Sequence, residues 1–77
     1  MSLAKTQSEI TTLRERIAST TDEVKQLTAV YKKTNDTDLK KQIDILNRQI
    51  ATWTSILQML RSREARLLQR QKSDQPS

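Results

Sequence analysis

Two acidic pairs, Asp22 with Glu23 and Asp36 with Asp38, come nearest in this 77-residue chain to residues spaced for general acid–base work. Such chemistry needs a second group of suitable pKa, a nucleophile, or donors aimed at developing charge. The chain has no Cys, no His and no Gly, so thiolate nucleophiles, imidazole bases, phosphate-cradling glycine loops and the usual zinc ligands are all missing. Each acidic pair also sits at a candidate helix start, where the macrodipole favours negative charge. Capping accounts for both pairs, and the sequence reads as a non-enzyme needing no cofactor and no metal.

The second group with chemical potential is the basic run "RSREARLLQRQK", with Arg61, Arg63, Arg66, Arg70 and Lys72. Formal net charge is +5, a balance compatible with nucleic acid, acidic proteins or an anionic membrane. Phosphate neutralisation by these cations could supply non-specific affinity. No nucleic-acid reading motif or aromatic stacking platform accompanies them, and Glu64 lies among them. Cations near a helix C-terminus are favoured by the dipole, so nucleic acid ranks behind a protein partner.

Composition points to long helices. Hydrophobic residues make up 34% and charged residues 30%, with a single Pro. A chain this short buries only about 60% of its unfolded surface, which argues against a large enclosed core. No stretch approaches the ~18 consecutive apolar residues of a membrane span, and the N-terminus has no apolar run resembling a signal-peptide core. The expectation is a soluble, cytoplasmic protein.

Leu3, Ile10, Ile17, Val24 and Tyr31 recur every seven residues, with Thr6, Leu13, Thr20, Leu27 and Thr34 between them. That is a coiled-coil seam weakened by threonine, and it needs a partner helix. Thr6-Gln-Ser-Glu9 and Thr20-Thr-Asp-Glu23 both match a capping box. Two readings therefore stand: one continuous helix, or a break at residues 19–22 that releases a short N-terminal helix. The segment "KKTNDTD" is a clear interruption, with Lys32 and Lys33 before it and Asp36 and Asp38 after it, each sign where a helix end favours it.

Beyond the interruption, Leu39, Ile43, Leu46, Ile50, Trp53, Leu57, Leu60 and Leu67 form a stronger seam. The fold class is all-α, an antiparallel helical hairpin about 45 Å long over ~30 residues per arm. Helices are expected over about 3–33 and 37–71, with the turn at 34–38. They form one domain over 1–72, followed by a disordered tail at 73–77.

The second helix has an apolar side left over. With Ile43 at zero and about 100° per residue, Ile45, Thr52, Ile56 and Met59 fall about 160 to 220° away, opposite the seam. A two-helix hairpin covers one face only, and each large apolar side chain left in water forfeits roughly 1.5 to 3 kcal/mol. Trp53, at the edge of the seam, either closes the hairpin core or anchors an interface. Ile45, Thr52, Trp53, Ile56 and Met59 are the candidate partner-binding residues. Three occupants can cover them: the chain's own N-terminal segment, a second copy giving a homo-oligomer, or, the favoured reading, a different protein.

The segment "LTAVYKKTNDTDLKKQIDILNRQIATWTSILQMLRS", residues 27–62, resembles the small helical co-chaperones of bacterial type III secretion needle subunits. A polar reversal followed by a Gln-containing helix with Ile/Leu-rich turns carries the likeness over about half the chain. The reversal lacks the glycine often found there. The resemblance implies a cytoplasmic protein that pairs with a tetratricopeptide-like chaperone, the two together keeping the needle subunit monomeric before export.

Overall fold

In the computed structural model, which describes residues 2–74, the chain is a hairpin of two helices, α1 (Leu3–Thr34) and α2 (Thr37–Asp74). The all-α hairpin read from the two seams is the fold. It is a rod of 63 × 16 × 14 Å with a radius of gyration of 18.0 Å, where a compact chain of this length would have about 11 Å.

α1 is unbroken, so the break at residues 19–22 does not occur. Both capping-box matches fail for one reason: the threonines are needed elsewhere. Thr20 is buried in the seam, and its neighbour Thr21 donates its hydroxyl to the Ile17 carbonyl at 2.7 Å, inside the helix. Thr6 is the most buried residue, 2% exposed, and its hydroxyl donates to the Ser2 carbonyl at 3.2 Å. The working N-cap is Ser2, whose Oγ accepts from the Lys5 N–H at 3.1 Å. Thr28, Thr34, Thr52 and Thr54 likewise bond back to the carbonyl four residues earlier. Such back-bonding satisfies the hydroxyl within its own helix at a slight cost to helix stability.

The reversal is two residues long. Asn35 takes the left-handed conformation, φ 53° and ψ 32°, and its N–H donates to the Tyr31 carbonyl at 2.7 Å. Asparagine here does what glycine does at many helix C-termini, which is why the reversal can lack glycine. Asp36 then caps α2: its Oδ1 accepts from the Asp38 N–H at 3.0 Å. Lys32 and Lys33 lie in the last turn of α1 and Asp38 in the first turn of α2, as the dipole favours. Replacing Asn35 by Gly should leave thermal stability nearly unchanged, whereas Asn35→Val should cost about 1 to 2 kcal/mol, read by circular-dichroism melting. Equal melting of the two variants would deny the left-handed turn.

The core is thin. Ile10, Leu57 and Leu60 are the buried hydrophobic residues among those described, with Leu13 and Ile17 packed against them half-buried. They gather towards the open end of the hairpin, where Thr6 is also buried. α2 continues to Asp74, past the end expected near Gln71. Ser73 and Asp74 of the expected tail are therefore helical, and its last three residues lie outside those described. No described helix is long and apolar enough to cross a membrane.

Candidate docking groove

Ile45 is 55% exposed, Ile56 41% and Met59 67%, so the leftover side of α2 is in water over most of its area. An unbroken α1 cannot fold back over it. Thr52, between them, is exposed, with its hydroxyl turned to the Arg48 carbonyl at 3.0 Å. Trp53 is half-buried, with the Arg16 guanidinium of α1 5.7 Å from its ring centroid. That is within the range of a cation–π contact.

The expectation that this stripe lies opposite the seam needs correcting. Ile56 borders a groove of about 310 Å³ that α1 helps to form, lined also by Glu9, Thr12, Leu13, Arg16 and Leu60. Ile45 borders a second groove, about 250 Å³, with Glu23, Leu27, Gln42 and Leu46. Both isoleucines therefore stand on the shoulder of the hairpin. The cause is that the seam is two rows wide: at about 100° per residue Leu60 lies about 40° from Ile56 and Leu46 about 100° from Ile45, whereas angles taken from Ile43 measure only the other row.

The corrected geometry joins the residues into one feature. In heptad letters with Ile43 at a, Ile45, Thr52 and Met59 are c positions and Ile56 is g, a second heptad stripe on the d side of α2. Besides the seam leucines, α1 lines the two grooves with Glu9, Arg16 and Glu23 at g positions, Thr12 at c and Ser8 at f. The grooves therefore lie on the same broad face of the hairpin, separated by the Arg16–Trp53 pair. Val30, 47% exposed and also a g position, extends the face towards the turn. From Ile45 to Met59 the apolar bank runs about 21 Å at 1.5 Å per residue, four turns of an α-helix.

Sequence reasoning marked the α2 bank and missed the α1 bank. Leu13, Arg16 and Leu27 join the site only through the register of the hairpin, which places Arg16 level with Trp53. Asp36 and Asp38 are joined in the cap of α2, Asp22 and Glu23 are exposed along α1, and no group of three or more potential metal ligands occurs among the described residues. Comparison with protein-family models, curated proteins and solved structures finds no match to this chain.

Proposed function

We propose that this chain is a helical interaction protein that uses the groove between α1 and α2 to hold a helix of another protein. The observation that carries the reading is the exposure of Ile45, Ile56 and Met59 on one stripe of α2, with Ile56 and Ile45 each bordering a groove that α1 helps to form. A second heptad stripe beside a consumed seam is the pattern by which a two-helix unit accepts a third helix, knobs of the newcomer entering holes made by both existing helices. The rod shape adds surface for this purpose: 6199 Å² is accessible, against about 4800 Å² for a compact monomer of the same mass.

The finer form of the proposal takes its direction from the resemblance of residues 27–62 to needle-subunit co-chaperones. The partner is then a tetratricopeptide-like helical chaperone in the cytoplasm of a bacterium. The pair keeps a needle subunit of type III secretion soluble before export by burying its self-assembly helix. No cofactor takes part, since the work is exclusion of apolar surface from water. Affinity capture from the native host with mass spectrometry tests this form. Recovery of a helical-repeat chaperone together with a needle subunit supports it. Recovery of only the chain itself supports a homo-oligomeric coiled-coil adaptor, and nuclease-sensitive recovery of nucleic acid supports a basic accessory factor; either outcome replaces it.

A further inference from the structure

The charge of this molecule is unevenly placed along the rod. The open end, residues 2–14 and 59–71, holds six Lys and Arg against two Glu, a net +4. The rest of the hairpin, residues 15–58, holds seven cations against six acids, a net +1. The N-terminus of α1 and the C-terminus of α2 share this end with opposed dipoles, so its positive charge rests on the side chains. Arg63 and Arg66 continue the stripe of Ile56 and Met59, at the next g and c positions. Arg16 holds a further cation in the middle of the groove, over Trp53.

On the reading that the groove docks a helix, we infer that its occupant is an acidic amphipathic helix: apolar residues about eleven apart enter the pockets beside Ile45 and Ile56, a carboxylate between them meets Arg16, clear of Glu9 and Glu23 one heptad to either side, and an acid-rich end lies over Arg63, Arg66 and Arg70. A second copy of this chain does not supply that helix. Packed parallel, two copies set the +4 ends together; packed antiparallel, each +4 end meets a +1 segment, and neither arrangement gives Arg63, Arg66 and Arg70 an acid-rich partner. Nucleic acid or an anionic membrane would meet the cations but leave the concave apolar pockets unfilled. Complementary charge steers and orients the docking, and the apolar stripe holds it.

The single tryptophan reports the test directly, because Trp53 stands half-buried beneath Arg16, between the two grooves. The probe is a synthetic amphipathic helix of roughly 24 residues, enough to span the groove, with Leu at heptad core positions and Glu on its flanks. Its sibling has Lys for every Glu. In low salt the Glu peptide should change Trp53 fluorescence with a dissociation constant at least tenfold below that of the Lys peptide, and the gap should close at about 0.5 M salt, where screening is nearly complete over a few Å. Replacing Arg63, Arg66 and Arg70 by Gln should slow association about tenfold while leaving the complex able to form.

Equal affinity for both peptides, still abolished by Ile45→Asp with Met59→Asp, overturns the acidic occupant and leaves the docking groove standing. Binding of the Glu peptide that survives those two substitutions overturns the groove as well. No binding of the Glu peptide overturns the inference. So does concentration-dependent dimerisation that the same two substitutions abolish, or tighter binding to duplex DNA or phosphatidylserine vesicles than to the Glu peptide.

Discussion

Replacing Ile45 and Met59 together by Asp is expected to abolish capture of the helical partner while leaving the free hairpin folded. Anchors that become buried on binding cost about 2 kcal/mol or more each when truncated, and a buried unpaired carboxylate costs more. The pair should therefore lose at least a thousandfold in affinity, roughly 4 kcal/mol, by titration calorimetry with the co-purified partner. The fold should not notice. Both residues are more than half exposed, and substitutions at such sites usually stay within about 0.5 kcal/mol.

The new carboxylates would also sit four residues from Lys41 and from Arg63, a spacing at which opposite charges support a helix slightly. Ser at the same two positions separates lost apolar contact from added charge: binding should weaken substantially, though less than with Asp. Ile56 is the poorer probe, since it forms a groove wall with Leu13 and Leu60 and its replacement perturbs fold and site together. Should the Asp pair unfold the free chain, the stripe is part of the core and the docking proposal falls.

Which parts of this were readable beforehand follows from the range of each interaction. The hairpin was readable because Asn35 and Asp36 interrupt two heptad seams that are each incomplete alone, and a local signal suffices for a local reversal. The continuity of α1 was not. Thr20-Thr-Asp-Glu23 carries a genuine capping pattern, and only the neighbouring helix, which buries Thr20, decides that the residue belongs to the seam. The exposure of Ile45 and Met59 was readable from the number of faces one partner helix can cover. That Ile56 and Ile45 are walls of grooves shared with Leu13 and Leu27 was not, because a wheel zeroed on Ile43 measures distance from one row of the seam and ignores the row of Leu46 and Leu60 beside which they stand. The contact of Arg16 with Trp53 depends on interhelical register to within a turn, and neither strand of the hairpin encodes that by itself.

A core substitution should produce the opposite pattern. Leu57→Ala removes one of the three buried hydrophobic residues of the described chain, and such truncations cost about 2 to 5 kcal/mol. At roughly 0.05 to 0.15 kcal/mol per residue, a domain of this length holds about 4 to 12 kcal/mol, and a thin-cored rod belongs at the low end. The variant alone should thus lose much of its helical circular dichroism near room temperature, since separated helices of this kind are marginal in water. Its groove residues are untouched, however, and a partner that binds only the folded hairpin returns about 2.7 kcal/mol at a concentration of one hundred times its dissociation constant. Adding the partner should therefore restore helicity to Leu57→Ala, at an apparent affinity weakened by the cost of refolding. It should do nothing for the Asp pair, which is folded and blind to it. If Leu57→Ala melts like the parent, Ile10, Leu57 and Leu60 do not hold the hairpin together. If it unfolds and saturating partner fails to restore it, the partner does not recognise the folded groove, and the site must be sought on a surface that survives the separation of α1 from α2.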